Sequence, residues 1–164
     1  MKKWIVLLLM LLPMGAFAQG KIAFVDFNEV FDMMPERTEA ENKLAAINAQ
    51  YQDTYKAMTT ELNAKYEEYM KIEATLTENL KLRRQQEIQE LQDRIQNFIP
   101  QAQQDIEQEQ MKLMAPIQEK VANAIKTVAT EQGYDYTLDS RVLFHTGNNA
   151  IDATPLVKAK LGIK

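Results

Sequence analysis

LAAINAQYQDTYKAMTTELNAKYEEY, residues 44–69, decides the fold. Its large apolar residues are Leu44, Ile47, Tyr51, Tyr55, Met58, Leu62, Tyr66 and Tyr69, a 3-4-4 spacing that recurs every eleven residues. Apolar residues three and four apart share one face of an α-helix, so the stretch reads as a long amphipathic helix. Eleven residues over three turns is about 3.67 per turn, a repeat that packs helices nearly straight or with a slight right-handed twist.

A second stripe answers the first. Ile88, Leu91, Ile95, Ile99, Ala102 and Ile106 keep the spacing, and Leu113, Ile117, Ala124 and Val128 carry it onward. Folding the chain back between Leu76 and Thr77 sets Leu62 opposite Leu91, Met58 opposite Ile95, Tyr51 opposite Ala102 and Ile47 opposite Ile106. One register satisfies all four pairs, so the sequence predicts an antiparallel helical hairpin over residues 36–111, with its tip near residues 74–79. Thr75 and Glu78 have capping-box spacing for the start of the second arm. Pro100 and Pro116 fall inside that arm, where each removes a backbone hydrogen bond, and both are expected to act as hinges. Acid-before-base pairs at i,i+4 (Glu39 with Lys43, Glu61 with Lys65, Glu67 with Lys71) are expected on the outer surface.

Outside the hairpin the pattern changes. Residues 21–27 alternate and are rich in β-branched and aromatic side chains, which reads as a strand with Ile22, Phe24 and Phe27 inward. Asn28 is placed to cap a short helix carrying Val30, Phe31 and Met34, and Pro35 redirects the chain into the first arm. Tyr134–Leu138 and Val142–His145 read as two further strands with a turn at residues 139–141. Thr154 followed by Pro155 starts a short terminal helix reaching about Leu161. Strands so few and short need one another, so the two chain ends are expected to meet in one small sheet. The fold class is α+β and mainly helical: a β-rich body from residues 19–35 and 112–164, with the arm inserted in it.

Residues 1–18 stand apart from this fold. Lys2 and Lys3 precede an apolar run from Trp4 to Leu12 and then Ala16-Phe17-Ala18, which reads as a removable secretory signal. The chain has no cysteine, so neither a disulfide nor a lipid-carrying cysteine is expected, and the exported product is read as soluble and not a lipoprotein. Of 19 Lys and Arg against 23 Asp and Glu, the signal holds two lysines, and its loss takes the net charge from −4 to −6. That balance argues against nucleic-acid binding.

Chemistry-bearing groups are sparse. There is one histidine, His145, and no glycine-rich phosphate loop or metal-ligand spacing, so no catalytic residue, metal or cofactor is expected. Two surfaces draw notice instead. Met70, Ile72, Leu80, Leu82, Phe98, Met111 and Met114 lie beside or beyond the stripe, either as partner contacts or as a widening of the seam. Lys71, Lys81, Arg83 and Arg84 gather at the tip, either as a weak contact for anionic lipid or lipopolysaccharide or as a solvated face with Arg83 paired to Glu87 and Arg94 to Glu90.

Residues 21–27, the stretch Ala115–Ile125, the run Gly133–Asp139 and the final Asp152–Pro155, set in this order around a hairpin, resemble the Skp/OmpH family. The resemblance implies a periplasmic, ATP-independent chaperone that holds unfolded outer-membrane proteins between its arms, and a homotrimer joined through the sheet bodies. Ile22, Phe24, Val25, Val142 and Leu143 are then the body and assembly residues. The net charge of −6 departs from basic members of the family, so their lipopolysaccharide site is not carried over. The competing reading is an envelope adaptor that docks through the hairpin tip.

Overall fold

The computed structural model describes residues 20–163. The expected signal segment lies outside them. Strand β1 (Ile22–Val25) leads into the short helix α1 (Phe27–Asp32), and two long helices follow, α2 (Pro35–Ile72) and α3 (Glu78–Gln132), joined through a 3-10 turn at Glu73–Thr75. Strand β2 (Tyr136–Asp139), a 3-10 turn at Ser140–Val142, strand β3 (Ile151–Asp152) and helix α4 (Thr154–Leu161) complete the chain.

The helix starts are set by local chemistry. Asp26, not Asn28, caps α1: its carboxylate accepts from the Glu29 amide at 2.9 Å. A carboxylate just outside the first turn reaches an amide that has no partner in the helix, whereas Asn28 already lies within that turn. Pro35 occupies the first turn of α2, where its missing N–H costs nothing. The expected capping box is absent, because Thr75 donates instead to the Ile72 carbonyl at 2.7 Å and Thr77 stands at the N-cap of α3. Thr154 lies inside α4, not at its cap. Its hydroxyl accepts from the Asp26 amide at 3.0 Å, while its own amide donates to Asp152 at 2.9 Å, so it ties the terminal helix to the end of β1. Gly133 ends α3 in the left-handed region at φ 66°, and a Cβ there would meet open space, so the conformation is what calls for glycine.

β1 is the centre of a parallel three-stranded sheet of order β2-β1-β3, with Ile22 beside Tyr136, Phe24 beside Leu138 and Ala23 beside Ile151. Two expectations fail here. The inward residues of β1 are Ala23 and Val25, each 1% exposed, while Ile22 is 51% exposed on the opposite face. Alternation defines two faces without saying which is covered; the small residues mark the covered one because they let helices approach closely. Residues 142–145 form no strand. Asp139 accepts from the Arg141 amide at 3.0 Å and clasps its guanidinium at 2.7 Å, a local turn that takes the backbone out of the ladder. The third strand comes later, at Ile151.

Val30, Val121, Val157 and Met34 are fully buried in the core on the covered face of the sheet, joined by Ala40 from the root of α2. Long helix α3 therefore serves twice. Its C-terminal third, through Ile117, Val121, Ala124 and Val128, builds the body, while its remainder pairs with α2. No helix among the described residues is long and apolar enough to cross a membrane.

Candidate functional site

The arm has a narrow seam, and its period is not eleven. Among the buried and half-buried positions of the arm, with Ile47, Thr59, Glu87, Gln92 and Ile106 half-buried beside it, one series runs 44, 48, 51, 58, 62, 65, 69 and 72 on α2 and 81, 84, 88, 91, 95, 98, 102, 105 and 109 on α3. These are alternating steps of three and four with Tyr55 the one gap, a 3.5-residue period that favours a left-handed supercoil. The eleven-residue reading is thereby corrected. It passed over polar seam residues, taking Ile47 beside Asn48, Tyr66 beside Lys65 and Ile106 beside Asp105, and of these three Ile47 and Ile106 are half-buried while Tyr66 is exposed. Tyr66 and Ile99, each 53% exposed, stand one residue beyond the true seam positions Lys65 and Phe98, and Tyr55 is 42% exposed.

Of the other expected seam residues, Ile88, Leu91 and Ala102 are buried. Leu44, Ile47, Tyr51, Met58, Leu62, Ile95 and Ile106 are half-buried. The two arms are cross-linked along their length. Near the tip, Gln85 donates to the Tyr69 hydroxyl at 2.8 Å, and Arg84 lies 3.8 Å from Glu68. At mid-arm, Tyr51 packs its ring on Phe98 with centroids 5.9 Å apart and donates its hydroxyl to Asp105 at 3.0 Å. The hydrogen bond to Asp105, with some burial, raises the Tyr51 pKa above the ordinary tyrosine value. Burial and then the Glu73 carboxylate do the same for Tyr69.

Tyr51 touches α3 on both sides of Pro100, which lies inside an unbroken helix, as does Pro116. Around Pro116 the half-buried positions 109 and 113 and the buried positions 117 and 121 step by four, each step turning the stripe by about 40°, with Met114 half-buried beside them. The buried face of α3 rotates there from its arm partner toward the sheet.

Met70, Leu80, Leu82 and Met111 are exposed. Ile72 is half-buried at the tip, Phe98 lies in the seam against Tyr51, and Met114 packs on the body core. Assigning the seam to heptad positions a and d, with a at Tyr55, Leu62 and Tyr69 on α2 and at Ile88, Ile95 and Ala102 on α3, separates two flanks. The e and b flank, residues 45–70 and 82–106, carries Tyr66, Met70, Leu82 and Ile99 among Ala, Thr, Asn and Gln, with Lys56 its single charge. Over residues 47–71 and 80–104, the g and c flank carries Glu61, Glu68 and Lys71 on α2, and Arg83, Glu87, Glu90 and Arg94 on α3. One charge against seven makes the arm two-sided. Simple apolar counting missed this, because the signal lies in where charge is absent.

At the tip, Lys81 pairs with Glu78 at 2.9 Å, Arg83 with Glu87 at 3.5 Å and Arg84 with Glu87 at 3.1 Å. The Glu78 contact raises the Lys81 pKa. Among the described residues, neither Glu90 with Arg94 nor the three expected α2 pairs forms an ion pair, and Lys71 has none.

The sheet's second face is bare. Ile22, Tyr136 and Leu138 are exposed on it beside half-buried Phe24. With Leu143, His145 and the loop leading to Ile151, this face bounds an open cleft of about 960 Å³. Val25 lies on the opposite, covered face, and Val142 is exposed in the 3-10 turn.

The family model described as outer membrane protein (OmpH-like) matches residues 21–161, from the residue before β1 to the last residue of α4. The chain belongs to the Skp/OmpH family. Its relatives include the chaperone protein Skp of Photorhabdus luminescens, 24% identical over 147 residues that cover 89% of each chain. Another is the chaperone protein Skp of Pectobacterium atrosepticum, 22% identical over 152 residues, 90% of this chain and 92% of that protein. Among solved structures, an OmpH-like chain of Caulobacter crescentus superposes with a TM-score of 0.76 at 17% identity, covering 88% of this chain and 85% of that one. The shared fold is a small sheet bearing long helices. The Skp/OmpH family is non-enzymatic, so the chain is not an enzyme.

Proposed function

We propose that this chain is a periplasmic chaperone that works without ATP, holding unfolded outer-membrane proteins against its helical arms until they reach the membrane. The observation that carries this reading is the arm itself. At about 1.5 Å per residue, the 38 residues of α2 reach roughly 57 Å from a body whose sheet has strands of at most four residues. A hairpin buried along only one seam is poor support for chemistry, which needs groups held to about half an ångström, but it conforms readily to a variable client. The relatives named chaperone protein Skp, aligned along nearly the whole chain, support the same reading.

Three copies joined through their bodies complete the proposal. The bare sheet face presents Ile22, Phe24, Tyr136 and Leu138, an apolar surface of the kind that a protein buries against a partner. The short parallel strands leave edges that further strands of a copy would satisfy. Contact with lipid or an adaptor through the tip gains less support, since Lys81, Arg83 and Arg84 already lie against Glu78 and Glu87.

The test is dilution of a urea-denatured outer-membrane barrel into buffer without nucleotide. At a several-fold molar excess of chaperone, light scattering should stay near its starting value. Aggregation at the rate of the barrel alone would refute the reading. Mass measurement in solution, read beside it, should give three chains per particle.

A further inference from the structure

The two flanks of the arm differ too much in charge to serve one purpose. Resting on the holdase reading, we infer that clients lie along the uncharged flank, the side of Tyr66, Met70, Leu82 and Ile99 with the exposed seam residue Tyr55 at its border, and that the charged flank faces solvent.

The partner this flank fits is an extended, uncharged polypeptide segment in which apolar and neutral polar residues alternate, with its backbone groups unpaired. Such a segment is what a barrel strand presents before it closes into a barrel. Tyr55 and Ile99 come to one level in the antiparallel register set by the Tyr51 and Tyr69 cross-links. They offer apolar area at mid-arm, while Tyr66, Met70 and Leu82 offer it nearer the tip. Between them stand glutamines. The Gln85, Gln89 and Gln103 amides are engaged by Tyr69, Asp93 and Glu107, whereas Gln92 and Gln96 have no side-chain hydrogen bond among the described residues. A primary amide both donates and accepts, so it can meet either kind of free backbone group without a net charge.

Charge complementarity decides between the flanks. Laying a neutral strand over Glu61, Glu68, Glu87, Glu90 and Arg94 would strip water from ions and return no counter-charge, a loss that grows with each ion covered. Covering the other flank strips water from one lysine and a row of amides.

Adjacent exposed residues on opposite flanks supply the experiment: Asn63 beside Ala64 on α2, and Gln96 beside Asn97 on α3. A photo-cross-linking amino acid is placed at each of the four positions in the full chain, which is then loaded with a denatured outer-membrane barrel and irradiated. Cross-link yields from positions 63 and 96 should exceed those from 64 and 97 by about fivefold or more, since neighbouring positions differ by about 100° around the helix. Equal or reversed yields would overturn the inference while leaving the holdase reading intact. Failure of the parent chain to prevent aggregation would instead remove the holdase reading itself.

Two charge insertions provide a second arm of the test that does not depend on the label. Tyr66→Glu and Ile99→Glu should weaken client holding by about tenfold or more, whereas Ala64→Glu and Asn97→Glu should change it less than about twofold, with helicity equal in all four. Holding should also vary less than about twofold between roughly 50 and 500 mM NaCl, because no ion pair is screened. A steep fall with salt, or equal damage from both flanks, would overturn the inference.

Discussion

Body and arm are built from one helix and obey different rules. In the body, α3 is enclosed by the sheet, α1, α4 and the root of α2, and Val30, Val121 and Val157 lose all contact with solvent. In the arm, the same helix meets a single partner, and only Tyr69, Ile88, Leu91 and Ala102 are buried, with half-buried and polar side chains filling the rest of the seam. Stability follows the number of sides covered. The body is therefore expected to act as a fixed mount, and the arm, a strip held along one edge, is expected to open locally without disturbing its base.

The sharpest break in this contrast is Met34→Ala. Met34 is fully enclosed in the body, and its truncation should cost about 2 to 5 kcal/mol. Chemical denaturation should show the whole transition moving to lower denaturant. Leu91→Ala, at the best-buried point of the seam, should cost about 2 kcal/mol, the low end for such a change, because its half-open surroundings relax or admit water. Hydrogen exchange should find the loss confined to the arm. Should Leu91→Ala unfold the body as well, the two regions are one cooperative unit and the contrast is lost.

Tyr51→Phe is smaller and more local. It keeps the ring on Phe98 and removes only the bond to Asp105, so amides of α3 around Pro100 should exchange faster while those near the tip stay unchanged. The least effect belongs to acid. Hydrogen bonding to Arg141 lowers the Asp139 pKa, so the turn at residues 139–142 gains stability that is fully present above the ordinary carboxylate range and is lost as pH falls through the lowered value. Chemical shifts in that turn should follow this titration, and Arg141→Gln should move it back up toward the ordinary range.

The hairpin was legible because period and register are written in large side chains. Leu62 opposite Leu91 and Tyr51 opposite Ala102 lie in the register of the observed cross-links, between Tyr69 with Gln85 toward the tip and Tyr51 with Asp105 toward the root. The exact period was not legible, because polar residues occupy seam positions: Lys65 needs only its stem buried, and Asp105 is held there by the Tyr51 hydroxyl, a partner that comes from the other helix. The strand phase was hidden for a related reason. Ile22 and Phe24 look like core and sit on the uncovered face, while Ala23, small and unremarked, lies under the helices. Residues 142–145 have strand composition, yet the Asp139 turn overrules it locally. Of the partner-contact candidates, Met70, Leu80, Leu82 and Met111 stay exposed, while Phe98 and Met114 are taken up by packing that a single helix wheel does not reveal.

The most direct measurement is hydrogen exchange of the full chain, free and loaded with a denatured outer-membrane barrel. Free, the amides of residues 44–109 should exchange well before those of α1, β1 and the C-terminal third of α3. Loaded, the arm should gain protection while the body stays as it was. Uniform exchange in the free chain, or protection by client that falls on the body and leaves the arm unchanged, would contradict the account.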